Sequence, residues 1–158
     1  MNKFALAMIF SLCTALPALA QNTRSDDSKT ASEIPGRLFA AMKEKNADAI
    51  RALFMPEGQL VAIDRPRSGE GLSKTRVFTA DSFAKLIAEA KAPEFIEKMD
   101  KTKVEIFGDM ALVYGRYTFH VGAKFSHCGT NSFHLVRTIE GWKIANAAST
   151  LEFTCGQK

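Results

Sequence analysis

The chain has few of the residues that common catalytic motifs require. Its 158 residues include three cysteines, three histidines and one tryptophan. No glycine-rich phosphate loop, nucleophile elbow or metal-binding triad occurs in the sequence. The pattern therefore argues against the nucleotide hydrolases and serine hydrolases that carry such motifs, and it predicts no resident cofactor or metal ion.

An excess of charge of one sign is also missing. The chain carries 21 basic and 17 acidic side chains, a net charge of +4, and the two signs are interleaved along its length. Proteins that bind nucleic acid usually concentrate lysine and arginine in one stretch or on one face. We therefore expect no nucleic-acid partner.

The sequence has no apolar run of the roughly 20 residues needed to span a membrane. Its longest apolar segment, residues 4–16, follows Lys3 and precedes the small-x-small pattern Ala18-Leu19-Ala20. These features are typical of a secretory signal peptide. We predict a signal peptide over residues 1–20, cleaved after Ala20, and a secreted or periplasmic protein without a membrane span.

The rest of the chain has a typical length for one domain. Residues 21–29 contain no apolar side chain, and such segments cannot bury enough surface to order themselves. The sequence therefore predicts a flexible leader over residues 21–31 and one domain over residues 32–155.

Two of the three cysteines lie in that domain, whereas Cys13 lies in the predicted signal peptide. A lone pair in an exported protein is most simply a disulfide. If Glu140-Gly141 is a hairpin turn, Cys128 faces position 153 and Cys155 lies two residues further on. A β-bulge or a frayed strand end would close that offset. We predict a Cys128–Cys155 disulfide.

Hydrophobic periodicity predicts helices in the first half and strands in the second. The predicted helices cover residues 32–45, residues 47–54 and a segment from about residue 79 to Pro93, with one more turn at 94–99. The predicted strands are 59–64, 102–107, 110–121, 131–139 and 142–152, with a loop at 65–76. This order predicts an α+β domain in which a curved antiparallel sheet wraps around three helices.

Three segments carry a family resemblance: Leu53-Phe54-Met55-Pro56-Glu57-Gly58, residues 104–117 around Gly108-Asp109-Met110-Ala111, and Gly141-Trp142-Lys143-Ile144. Together with the helical first half, residues 32–152 resemble the nuclear transport factor 2-like superfamily, which includes ketosteroid isomerases and polyketide-cyclase-like proteins. The resemblance implies a cone-shaped fold with a cavity that binds small molecules. It also implies a dimer, because dimers are common in that superfamily. It implies no single activity, because this fold serves many functions.

Strand alternation predicts which side chains face that cavity. In strand 110–121 the odd positions are the more apolar set, and the two following strands show a similar alternation. The predicted ligand-binding residues are Tyr117, Asn146, Phe119, Phe133 and Trp142. The alternative is that these side chains only pack or bond to backbone. We expect a small apolar or weakly anionic ligand, steered by the basic loop that contains Arg65, Arg67, Lys74 and Arg76 unless that loop is simply solvated.

A catalytic carboxylate is harder to place. Ketosteroid isomerases carry one on the first strand just before a proline, and the resemblance points to Asp64, which Arg65 separates from Pro66. We expect no Asp, Glu or His on the inward face. We therefore expect an exported binding protein rather than an enzyme. The alternatives are an isomerase or cyclase-like enzyme with Asp64 as general base, and a structural association domain.

The outward face of the sheet is predicted to be polar with a few large side chains, as in many interfaces. Its predicted members are Tyr114, Arg116, Thr118, His120, His134 and Val136. If the hairpin were centred on His127, His120 would pair with His134 on this face. We expect a homodimer through this face and no metal at the histidines.

Overall fold

The computed structural model describes residues 18–155, with side chains from residue 26 onward. The helices are α1 (Ala18–Lys43), α2 (Ala47–Leu53) and α3 (Ala80–Glu89). The strands are β1 (Phe54–Asp64), β2 (Lys74–Thr79), β3 (Phe95–Phe107), β4 (Met110–Val121), β5 (Lys124–Thr138) and β6 (Gly141–Leu151). The three helices and the strand 110–121 are confirmed. Residues 1–17 of the predicted signal peptide lie outside the described residues.

The six strands form one curved sheet in the order β2-β1-β6-β5-β4-β3. The α+β class is confirmed, and β4 lies inside the sheet between β3 and β5. The expectation of purely antiparallel pairing is wrong, because β1 and β6 run parallel. These strands are separated by most of the chain, and a long connection permits parallel pairing where a tight hairpin does not.

Helix α1 begins earlier than the start expected at Ser32. Residues 21–31, the predicted flexible leader, are helical and continuous with the rest of α1. Ala31 is fully buried, and the Asp27 carboxylate lies 2.6 Å from the Arg137 guanidinium of β5. Contact with the sheet therefore stabilises a segment whose composition alone does not favour burial. Cleavage after Ala20 stays a prediction.

Two strands occupy segments where the sequence predicted other structure. Residues 94–99, expected as a helical turn, contribute to β3, which pairs with β4 from Phe95 opposite Val121. The end of the loop expected at 65–76 forms β2, paired with β1. Both are edge strands with several exposed side chains, so burial alternates too weakly to reveal them.

The core lies between the helices and the concave face of the sheet. Fully buried members include Ile34 and Leu38 of α1, Val113 of β4 and Leu135 of β5. No helix within residues 18–155 is long and apolar enough to cross a membrane.

Candidate functional site

A cavity of about 140 Å³ lies between helices α1 and α3 and the concave face of the sheet. Most of its wall is apolar. The apolar lining residues are Leu38, Phe39, Met42, Leu60, Ala62, Phe83, Ile87, Phe119, Phe133 and Leu151. The polar lining residues are Glu97, Tyr117, His127, Asn131 and Ser149. A mostly apolar pocket with a few polar groups is the usual form of a small-molecule site.

Three of the five predicted ligand-binding residues line this cavity. Tyr117, Phe119 and Phe133 face it from β4 and β5, as strand alternation predicted. Phe133 contacts Phe39 of α1 edge to face, at 6.3 Å between ring centroids. Their inward positions are found, and their role as ligand contacts stays a prediction.

The inward placement of Asn146 is wrong. Opposite β5, His134 pairs with Asn146 and the next residue, Leu135, pairs with Ile144, so Ala145 is an extra residue. Such a β-bulge reverses the side-chain alternation beyond it. Asn146 therefore shares the outer face with exposed His134, and Ser149 lines the cavity instead.

Trp142 is buried but does not line the cavity. It lies before the bulge and belongs to the core cluster. The Arg137 guanidinium stacks on its ring at 4.4 Å, and its buried indole N–H has no partner among the described residues. Trp142 therefore contributes to core packing at the start of β6.

Asp64 also lies outside the cavity lining. Its two carboxylate oxygens accept hydrogen bonds from Arg76 Nε at 2.9 Å and from a terminal Arg76 nitrogen at 3.1 Å. Asp64 and its partner lie at the end of β1 and in β2. This two-point pairing engages both oxygens of the carboxylate with Arg76.

Glu97 of β3 is a cavity residue that the sequence reasoning missed. Opposite β4, Asp100 pairs with Arg116 and Lys103 with Tyr114, so Lys101 and Thr102 form a bulge. Lys101 has a left-handed φ of 50° there. Before the bulge the odd positions of β3 face inward, and after it the even positions do. The sequence feature that indicates this bulge is Gly115, a glycine within β4 opposite it. A Cβ at Gly115 would lie 2.8 Å from Asp100 O.

The Glu97 carboxylate accepts a hydrogen bond from Asn131 Nδ2 at 2.6 Å. Burial raises the pKa of Glu97 to about 7, although the hydrogen bond from Asn131 acts in the opposite direction. The cavity therefore contains an acid whose two protonation states are similarly populated near neutral pH. The expectation of no buried acid on the inward face is wrong.

Asn131 completes the polar end of the cavity. Its side chain is 1% exposed, and its Oδ1 has no hydrogen-bond partner among residues 26–155. Buried polar atoms are nearly always paired. The unpaired oxygen is therefore the kind of atom that a ligand or water would satisfy. Asn131 precedes Phe133 by two on β5, so the same alternation would have found it.

His127 and Tyr117 lie beside this end of the cavity. The Tyr117 hydroxyl donates to Thr150 O at 2.9 Å, and burial is the main cause that raises its pKa well above the ordinary value. The His127 ring stacks on Phe119 at 4.8 Å, and burial lowers its pKa. Both groups are therefore uncharged at neutral pH. His127 faces inward because Ser126 is an extra residue opposite β4.

The histidines are not paired as the sequence suggested. The turn lies at Gly122 and Ala123, so His120 pairs with Phe125 and His134 pairs with Leu112. Within the described part of the chain, no group of three or more His, Cys, Asp or Glu side chains could hold a metal.

The Cys128–Cys155 disulfide is confirmed, with 6.1 Å between the two Cα atoms. Cys128 also exchanges two backbone hydrogen bonds with Glu152. The disulfide therefore links the segment that follows β6 to β5. In this segment Phe153 contacts the His127 ring, with 6.4 Å between centroids, and Arg67 stacks on Phe153 at 4.0 Å.

Solved structures with the same fold include three informative neighbours, each similar over most of its length. A nuclear transport factor 2-like protein with a cystatin-like fold from Novosphingobium aromaticivorans aligns with a TM-score of 0.68 and 19% identity, over 92% of this chain and 94% of that one. A putative dehydratase of that family from Streptomyces avermitilis aligns with a TM-score of 0.61 and 14% identity, over 83% of this chain and 99% of that one. The beta subunit of a putative aromatic-ring-hydroxylating dioxygenase from N. aromaticivorans aligns with a TM-score of 0.66 and 10% identity, over 86% of this chain and 93% of that one. At these identities the likeness concerns the fold alone.

No curated protein matches the sequence significantly. The family model that describes the SnoaL-like domain matches residues 33–150. This match covers α1 from residue 33 onward, α2, α3, strands β1 to β5 and nearly the whole of β6. The chain therefore belongs to the SnoaL-like domain family of the nuclear transport factor 2-like superfamily.

Proposed function

We propose that this protein binds a small, largely apolar molecule in the cavity between the helices and the sheet. The observation that carries the proposal is an apolar cavity of about 140 Å³ with an unpaired buried oxygen, Asn131 Oδ1, at its polar end. Apolar walls provide binding free energy through burial, and the polar end orients the ligand.

The size of the cavity limits the ligand. An engineered protein cavity of about 150 Å³ lined by Leu, Ile and Phe binds benzene. The present cavity is of similar size, about 140 Å³. We therefore propose a ligand with one ring or an equivalent short carbon skeleton.

The test is titration with single-ring compounds, followed by protein NMR. Ala62 lines the cavity and is 6% exposed, so Ala62→Leu should fill part of the space and weaken binding about tenfold or more. Ala148→Leu is the matched control, because Ala148 pairs with Ser132 away from the cavity. Equal binding by both variants, or no binding by the native protein, would reject the proposal.

A second candidate function is acid–base catalysis in the same cavity. The observation in its favour is Glu97, a cavity carboxyl whose pKa burial raises to about 7, near the optimum for a general acid or base at neutral pH. The residue suggested by the family resemblance, Asp64, is a weaker candidate because Arg76 holds its carboxylate. Turnover lost in Glu97→Gln and kept in Asp64→Asn would support the Glu97 assignment. Turnover lost only in Asp64→Asn would support Asp64 as the general base.

We also propose that the protein is exported and forms a homodimer through the outer face of the sheet. The disulfide suits an oxidising compartment, and Tyr114 and Arg116 on β4 supply side chains that interfaces favour. Mass spectrometry of the exported protein should find Gln21 at its N-terminus. Light scattering at tens of micromolar should give a dimer mass, and a monomer mass would reject this face as an interface. A dimer without any ligand binding would favour the association-domain alternative.

A further inference from the structure

The polar end of the cavity is built from hydrogen-bond acceptors. Asn131 Oδ1 is buried and has no partner in the described part of the chain. Its amide is oriented by Glu97, since a carboxylate only accepts hydrogen bonds and the Asn131 Nδ2 group donates to it at 2.6 Å. The oxygen is therefore left free to accept a hydrogen bond, and Asn131 is one of the residues that line the cavity.

The neighbouring groups offer few donors. The Tyr117 hydroxyl proton is already donated to Thr150 O, which leaves the oxygen lone pairs. His127 is uncharged at neutral pH because burial lowers its pKa. The possible donors are the Ser149 hydroxyl, one His127 ring nitrogen and, in its protonated state, the Glu97 carboxyl.

The cavity also lacks a cation to balance Glu97. No lysine or arginine is among the lining residues, and Glu97 has no salt-bridge partner within residues 26–155. The titratable groups that line this end are Glu97 of β3, Tyr117 of β4 and His127 of β5. Charged groups outside the lining also act on two of them: Asp64 and Arg76 on His127, and Glu152, Arg116 and Asp64 on Tyr117. The parts of α1 and α3 that line the cavity are apolar.

Aromatic rings surround the same space. Phe119 and Phe133 line it on the sheet side and Phe39 on the helix side. The faces of aromatic rings attract cations, and the attraction grows when the cation is removed from water. An anion would find neither a compensating charge nor a ring of donors.

We propose that the ligand is a small apolar amine, bound as its ammonium ion to the Glu97 carboxylate and Asn131 Oδ1. The inference rests on the proposed small-molecule function and narrows its ligand class. It replaces the weakly anionic ligand that the basic loop suggested.

Four compounds with one carbon skeleton test this inference: benzylamine, benzyl alcohol, toluene and benzoate, each titrated at pH 8 and followed by protein NMR. Benzylamine should bind about tenfold or more tightly than benzyl alcohol and toluene, since hydrogen bonds to charged groups are the strong ones. Benzoate should bind weakest. Benzoate or toluene binding as tightly as benzylamine overturns the amine inference but leaves the small-molecule function intact. Failure of all four to bind overturns both.

The pH dependence of binding is an independent check on the native protein. Ammonium binding requires the ionised Glu97, and an alkylamine stays protonated between pH 6 and 8. With a Glu97 pKa of about 7, the affinity for benzylamine should be about tenfold weaker at pH 6 than at pH 8. A benzylamine affinity that does not change over this range overturns the inference.

Glu97→Gln is the matching variant, because glutamine has the same shape and can still accept from Asn131. It should weaken benzylamine binding about tenfold and remove the pH dependence, while toluene binding stays within about twofold. Glu44→Gln, which changes an exposed carboxyl outside the cavity lining, is the control and should leave benzylamine binding unchanged. Unchanged benzylamine binding in folded Glu97→Gln overturns the inference.

Discussion

Replacing Glu97 by glutamine should change how the stability of the protein depends on pH. The carboxyl has an ordinary pKa of 4.5, and burial raises its pKa to about 7 in the folded state. Below pH 4 both folded and unfolded chains hold this proton, so the carboxyl has no differential effect. Between pH 4.5 and 7 the unfolded chain releases the proton while the folded protein keeps it, and the free energy of unfolding falls. Above pH 7 the loss is complete.

The size of the effect follows from the shift. One pKa unit corresponds to 1.36 kcal/mol, so the full shift from 4.5 to about 7 corresponds to about 3 kcal/mol. Glu97 is partly exposed to solvent, and solvent reduces the effect of burial. We therefore expect the free energy of unfolding to fall by about 2 to 3 kcal/mol. Glutamine keeps the hydrogen bond from Asn131 and has no proton to release. The stability of Glu97→Gln relative to the native protein should therefore rise by this amount from pH 4 to pH 8.

The assay is urea unfolding of both proteins at pH 4, 5, 6, 7 and 8. The difference between the two free energies of unfolding removes the titration of all other groups. Glu44→Gln, which changes an exposed carboxyl of the chain between α1 and α2, should alter stability by less than about 0.5 kcal/mol at every pH. A difference between Glu97→Gln and the native protein that stays constant from pH 4 to pH 8 would refute the assignment of Glu97 as a buried, protonated acid.

Three further predictions concern the contacts that hold the fold together. Replacing both Cys128 and Cys155 by serine should lower the free energy of unfolding by about 3 kcal/mol, since the disulfide joins residues 27 apart in sequence. Asp27→Asn should lower it by about 0.5 to 1 kcal/mol, because the carboxylate pairs with Arg137 at a partly buried site. Gly129→Ala should lower it by more than about 3 kcal/mol, because a Cβ on Gly129 would overlap the backbone carbonyl of the adjacent strand. Urea unfolding at pH 7 measures all three.

Each of these predictions has a control. For the disulfide, the native protein in reductant should match the double serine variant, and equal stability with and without reductant would contradict the prediction. Asp26→Asn changes an exposed neighbour of Asp27, and an equal loss in both variants would mean that the ion pair contributes nothing. Gly36→Ala adds a methyl group where no atom lies within 4 Å, so it should stabilise α1 by about 0.5 to 1 kcal/mol. A Gly129→Ala protein as stable as Gly36→Ala would show that the strands can separate without cost.

Features encoded locally were predictable from the sequence alone. The turn at Gly108 and Asp109 was predictable because a Gly-Asp pair between two strands is a common turn sequence. In the structure Gly108 has a φ of 62°, which favours glycine. Regular alternation then gave β4 its correct bounds and placed Tyr117 and Phe119 facing the cavity. The cysteine pair was predictable because it needs only two thiols, an oxidising compartment and an approximate register.

Tertiary structure decided what depends on contacts between distant segments. The parallel pairing of β1 with β6 joins residues at opposite ends of the domain, and no local pattern specifies it. Helix α1 extends through residues 21–31 because the sheet supplies partners such as Arg137.

The bulges had the largest consequence for the site. A side-chain period of two means that one extra residue exchanges the inner and outer faces of a strand. The bulge at Lys101 and Thr102 turned Glu97 into the cavity, and the bulge at Ala145 turned Asn146 out of it. The sequence by itself therefore determined the three helices, the bounds of β4 and the inward positions of Tyr117, Phe119 and Phe133. The polar end of the cavity was decided by register irregularities, which arise only when neighbouring strands pair.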